Sequence, residues 1–181
     1  MSTHLTPPLG PEDHTQGPAD APLQLVEYGD YECPFCGMAH PIVRAVQRRL
    51  GARLLFAFRH FPLTQIHPHA ERAAEMAEFA GEEGKFWLMH DILYANQHAL
   101  DDASLIGYAT RIGLDARRAA MALANHLYLD RVRRDFLSGV RSGVNGTPTF
   151  FINGVRHDEP WDEVSLLTAL QRAAAAPGLA R

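Results

Sequence analysis

Strand-forming stretches occupy only the two ends of this chain, and residues 63–142 between them read as helix. Few folds accept that arrangement. The first end begins with Leu23–Tyr28, "LQLVEY", an apolar, β-prone run just after Pro22. It ends with "RLLFAFRHF", residues 53–61, stopped by Pro62. Between these runs "GMAHPIVRAVQRRLG" sets Met38, Ile42, Val43, Val46 and Leu50 on one helical face, with Gly51 as its stop. Pro41 lies inside this helix and is expected to kink it. The far end holds "TPTFFING", residues 147–154, then "VRH" after an Asn153-Gly154 pair typical of hairpins. A last helix follows, with Trp161, Val164, Leu167 and Leu170 on one face.

The middle block divides into successive helical segments separated by Gly, Asp or Asn. Asp102 and Asp115 are the expected N-caps, and Leu129, Val132, Phe136 and Val140 recur at core-facing spacing. The order β-α-β, helices, β-β-α predicts an α/β fold interrupted by a helical insertion. Its expected boundaries are a flexible or extended segment 1–21, a discontinuous core 22–62 and 143–176, and an insertion 63–142.

Both cysteines sit in "ECPFCG", residues 32–37. The stretch fits a redox pair, half a zinc site, or a small structural disulfide. A disulfide here closes a tiny loop and restrains the unfolded chain little. Structural zinc needs four ligands, and with no second CxxC the rest would have to be histidines such as His40, His60, His67 or His69. Net charge is −4, so no basic field points to nucleic acid or an anionic membrane. The first twenty residues lack the basic start and apolar run of a secretory signal, and no later run suits a bilayer, which gives a cytoplasmic expectation.

If the CxxC opens a helix after a strand, Cys33 meets the helix N-terminus, whose N–H groups and dipole favour its thiolate. Pro34 suits the first helical turn, where its missing N–H is not needed. Cys36, one turn on and more sheltered, is placed to resolve a mixed disulfide at an exposed Cys33. Glu27 lies within the apolar strand, where a partly desolvated carboxyl can exchange the proton of Cys36; the alternative is an edge strand with Glu27 in solvent. Thr147-Pro148 entering a strand suits a central position poorly unless the bond is cis and the chain turns tightly. Thr147 backbone groups would then be left to pair with a substrate peptide.

Taken in order, the strand with Glu27, "CPFC" opening a helix with Pro41, and the distant "TPTF" strand with its closing helix resemble the thioredoxin fold. The helical block, and "FRHFPL…IHPHA" over residues 58–70, make the chain similar to the DsbA-like branch of thiol–disulfide oxidoreductases. That resemblance implies Cys33 as nucleophile, Cys36 as resolving cysteine, Glu27 as buried carboxylate, and Pro148 as a cis-proline facing the sulfurs, preceded by Thr147. Periplasmic DsbA carries Pro-His between its cysteines, whereas this chain has Pro34-Phe35. Phenylalanine cannot hydrogen-bond a thiolate, so oxidase or reductase stays open. The expected partners are protein or peptide thiols and disulfides, with glutathione or a thioredoxin-type protein recycling the pair. No metal or organic cofactor is expected. Phe35, the "TPTF" segment and the insertion's inner face are expected to form an apolar substrate groove. A non-catalytic binding module or redox sensor on the same fold is the alternative.

Overall fold

The computed structural model describes residues 3–175. The elements in chain order are β1 (His14–Gln16), β2 (Leu23–Gly29), α1 (Pro34–Leu50), a 3-10 turn, and β3 (Leu54–His60). Then come α2 (Ala70–Glu82), α3 (Phe86–Ala95), α4 (Asp102–Arg111), α5 (Ala116–Ala124) and α6 (Leu129–Arg141). The chain ends with β4 (Thr149–Ile152), β5 (Val155–His157) and α7 (Glu163–Ala175). The strands form one sheet in the order β1-β3-β2-β4-β5.

The chain divides into two compact units. The sheet unit holds residues 3–28, 38–59 and 138–175 of those described, and the helical unit holds 29–37 and 60–137. The helical unit thus begins near 60 and takes in the cysteine segment as well. Of the expected core limits, residue 176 lies outside the described residues.

In the sheet unit, β2 is central and almost wholly buried, which accounts for its apolar run. β4 pairs antiparallel with β2, setting Val26 opposite Phe151 and Glu27 opposite Phe150. Asn153 and Gly154 both take positive φ, +47° and +79°, the left-handed pair that a two-residue hairpin between Ile152 and Val155 needs. α7 packs on β4 through a face centred on Leu166 and Leu170, while Val164, expected inside, is 72% exposed. The N-terminal segment is tied down. β1 pairs with β3, and the buried Arg59 guanidinium donates to both carboxylate oxygens of Asp13 and to the Pro7 and Pro8 carbonyls.

In the helical unit, α2 packs against α3, α4 and α5. Its buried face carries Ala73, Ala77 and Ala80, small side chains that let helices approach closely, together with the larger Met76. Asp115 caps α5 as expected, but the cap of α4 is Asp101, whose carboxylate accepts from Ser104 N. Asp102 instead pairs with Arg72. Two helix faces also depart from their apolar letters. On α1 the buried positions are Cys36, Ala39, Val43 and Val46, with Met38 60% exposed. On α6, Val132 is buried, but Val140 is exposed and the other buried positions are Gly139 and two polar residues, Asp135 and Ser138. Asp135 earns its burial by pairing with Arg131 and accepting from His60 N at 3.1 Å, while Glu78 takes His60 Nε2 at 2.8 Å.

Candidate active site

The redox-type motif lies in a turn closed by its own backbone. Cys33 N donates to Asp30 O at 3.2 Å, and the Cys33 carbonyl accepts from Gly37 N at 3.1 Å. α1 starts at Pro34, so Cys33 holds the N-cap position and Pro34 the first helical one. A sulfur there meets the positive end of a seventeen-residue helix, which favours the thiolate. Cys36 is fully buried, as expected, but Cys33 is only 3% exposed, so the exposed nucleophile of the sequence reading is corrected. What reaches solvent is the pair between them: Pro34 is exposed and Phe35 is 57% exposed.

Several residues that hold this turn escaped the sequence reading. Asp30, buried, accepts from Glu32 N, Leu63 N and His67 Nδ1, each at 2.8 Å. Glu32 accepts from His69 N at 2.7 Å and from His69 Nδ1 at 2.9 Å. His67 and His69, weighed as zinc ligands, are thus carboxylate partners. The matching two-residue steps, Asp30/Glu32 against His67/His69, were the sequence signal. Tyr31 shares a hydrogen bond with His90 Nδ1 at 3.0 Å inside an aromatic cluster that includes Tyr94 and Phe86. Gln97, beyond α3, donates from Nε2 to the carbonyls of Tyr31 and Cys33.

The remaining expected residues belong to the sheet unit. Glu27 is 2% exposed on the central strand, which overturns the edge-strand alternative. The Thr147–Pro148 bond is cis, both residues are half-buried, and Thr149 Oγ1 bonds back to Gly146 O at 2.8 Å just where β4 starts. Cys33, Pro34, Phe35 and Cys36 therefore share one turn, and Glu27 and Pro148 lie on adjacent strand segments of the sheet unit. A cavity of about 190 Å³ in the helical unit is lined by Pro62, Thr64, Glu71, Val132, Arg133 and Phe136, none of them a residue expected to bind substrate.

Comparison with known proteins adds the family. A family model described as thioredoxin matches residues 10–172. Oxidised BdbD from Bacillus subtilis superposes with a TM-score of 0.87 at 19% identity, over 97% of this chain and all of that one. The alpha-DsbA1 of Wolbachia pipientis gives a TM-score of 0.81 at 20% identity, covering 97% of this chain and 96% of the other. In sequence, the chain is 45% identical over 170 residues to a Na(+)/H(+) antiporter NhaA 1 of Salinispora arenicola, covering 93% of this chain and 26% of the relative. The chain spans about a quarter of the length of the curated relatives it matches. With a family model that spans both ends of the sheet, the chain belongs to the thioredoxin family, and its fold is similar to those of BdbD and alpha-DsbA1.

Proposed function

We propose that this chain is a thiol–disulfide oxidoreductase acting on protein or peptide substrates. One observation carries the reading: in a thioredoxin-family fold, "CPFC" places Cys33 at the N-cap of α1 with Cys36 one turn behind it. In the reducing direction the Cys33 thiolate attacks one sulfur of a substrate disulfide. That S–S bond breaks, a mixed disulfide forms, and the departing substrate thiolate takes a proton. Cys36 then loses its proton and attacks Cys33 Sγ, which releases the second substrate thiolate and leaves a Cys33–Cys36 disulfide. Two electrons pass from the dithiol to the substrate, and oxidation of substrates runs the steps in reverse.

Glu27, buried and carboxylic, is the proposed acceptor and donor of the Cys36 proton. Exposed Phe35 offers an apolar contact, Pro34 the adjoining surface, and Thr147 before Pro148 a main chain for substrate pairing. Glutathione or a thioredoxin-type protein is the proposed recycling partner, the proposed setting is cytoplasmic, and the potential of the pair sets the working direction.

The likeness to antiporters favours a second reading. A segment matching this chain occurs within longer proteins named as Na(+)/H(+) antiporters, which suits a redox-sensing module acting on a transporter. Among the described residues no helix is long and apolar enough to cross a membrane.

Equilibration in glutathione buffers, with free thiols trapped and counted by mass, tests the proposal. A reversible two-electron Cys33–Cys36 couple is expected, and its midpoint selects oxidant or reductant. Tight stoichiometric zinc with no disulfide formed under oxidation would overturn it. A reversible couple without turnover of disulfide substrates would favour the sensor.

A further inference from the structure

We infer that Gln97 is a positioning residue for the redox turn, and that residue 37 is glycine because the Gln97 amide fills the space a side chain would need. The inference rests on the thiol–disulfide reading above. Gln97 lies in the connection between α3 and α4, sixty-odd residues from the cysteines (97 against 33 and 36). Its Nε2 stands 2.9 Å from Tyr31 O and 2.8 Å from Cys33 O, so both amide hydrogens are used on two carbonyls of the turn. The reverse amide orientation would face an oxygen toward two oxygens, so the donor side is fixed by chemistry. The rest of the amide lies over Gly37. A Cβ added there would sit 2.0 Å from Oε1 and 2.7 Å from Cδ of Gln97, inside van der Waals contact.

The amide thereby joins carbonyls on either side of Glu32 and fixes the backbone that aims Cys33 at the first turn of α1. Its effect differs between the two redox states. In the disulfide, Cys33 Sγ is held covalently by Cys36 whatever the backbone does. In the dithiol, the thiolate reaches the helix N–H groups only if the backbone points it there. Losing the amide therefore weakens the reduced thiolate form more than the disulfide. The sign follows: the Cys33 pKa rises, and the disulfide becomes harder to reduce.

Gly37 gives an independent handle, since the atoms it excludes are the mobile end of the Gln97 side chain. Gly37→Ala should push the amide off both carbonyls and so reproduce Gln97→Ala. The test measures the equilibrium constant with glutathione and the thiolate absorbance against pH for wild type, Gln97→Ala, Gly37→Ala and the double variant. Each single variant should shift the constant toward the disulfide by about three- to tenfold, the scale of one or two lost hydrogen bonds. Tenfold corresponds to about 30 mV for two electrons. The Cys33 pKa should rise in both, and the double variant should match either single one rather than multiply them. A wild-type constant and pKa in Gln97→Ala would overturn the inference, as would multiplying effects in the double variant. Should Gly37→Ala not fold, the potential and pKa of Gln97→Ala alone decide. A wild-type protein with no reversible couple would instead bring down the oxidoreductase reading, and this inference with it.

Discussion

Glu32, the residue just before the nucleophile position, caps a helix that starts thirty-eight residues later (70 against 32): its two carboxylate oxygens take the backbone N–H and the Nδ1 of His69, which leads into α2. The N-cap residue itself supplies no side-chain bond, so the carboxylate serves the orphan N–H and the helix dipole from outside the helix. His69 is about half exposed, so water screens its contact with Glu32. Glu32→Ala should cost about 1 kcal/mol of unfolding free energy, the scale of a lost cap. His69→Ala should cost less, because the backbone bond survives. Urea unfolding of both variants checks the order, and equal losses would argue against capping.

Arg59 in the sheet unit uses all five of its N–H donors. It is 3% exposed, forks onto both oxygens of Asp13, and donates to Tyr28 Oη and two carbonyls of the N-terminal segment. Burial works against its charge, but Asp13 and Tyr28 outweigh that and raise its pKa above the ordinary guanidinium value. Removing one partner leaves the other buried and uncompensated. Asp13→Ala should therefore cost about 3–5 kcal/mol, and release the segment before β1 to proteolysis. Loss below about 1 kcal/mol in urea unfolding would show that water replaces the carboxylate easily.

These pairings mark what sequence alone exposes and what it hides. The strands, the helical block and the "CPFC" turn were legible because each depends on neighbours within a few residues: an apolar run, a helical period, a proline at a helix start. Asp13–Arg59 and Gln97 over Gly37 join residues far apart, and no local pattern announces them; Glu32–His69 left only the two-residue step it shares with Asp30 and His67. The missed helix faces have a related cause. Ala39 is buried where Met38 looked the better core residue, because the inward face of α1 runs through Cys36, Ala39, Val43 and Val46 and leaves Met38 outside it. On α6, Asp135 and Ser138 are buried because Arg131 and Tyr28 Oη satisfy them. Glu27 was legible as a charge in an apolar strand, but its central place needed the pairing with β4.

Glu75 gives the helical unit a pH signature. Its side chain is fully buried, with Oε1 2.9 Å from His126 Nδ1 and 3.9 Å from Arg72 Nη1. Burial, the largest influence, raises its pKa against the opposing pull of His126 and Arg72. A carboxyl with a raised folded pKa binds its proton more tightly folded than unfolded. Its contribution is therefore full below the unfolded pKa, about 4.3, and is lost as pH rises through the folded value. Glu75→Gln removes that loss. Its stability should gain on wild type as pH climbs through this window and stay level above it; parallel curves in pH-dependent urea unfolding would refute the assignment.

The two cysteines should fail differently. Cys33→Ser removes the attacking thiolate and should abolish disulfide exchange, a loss of several orders of magnitude. Cys36→Ser keeps the attack but not the resolution, so mixed disulfides with substrate should accumulate and be visible by mass. Cys36 is fully buried, whereas Cys33 keeps 3% of its surface exposed and adjoins exposed Pro34. Equal activity in both variants would refute the assigned roles.

Phe35 should set how strongly the pair oxidises without affecting how well the chain folds. It is 57% exposed, so replacing it removes little buried surface, and Phe35→His should change stability by no more than about 0.5 kcal/mol. The imidazole adds a hydrogen-bond donor and, when protonated, a positive charge within the turn that holds both sulfurs. Either stabilises the Cys33 thiolate and therefore the reduced form. The disulfide of the variant should be easier to reduce, by about tenfold or more in its equilibrium with glutathione, or about 30 mV. Its Cys33 pKa should fall in step, and the gap from wild type should widen below about pH 6.5, where the imidazole takes its charge. A potential that stays put while the pKa falls would mean that the histidine stabilises both redox forms alike, and Phe35 would then be a substrate contact alone.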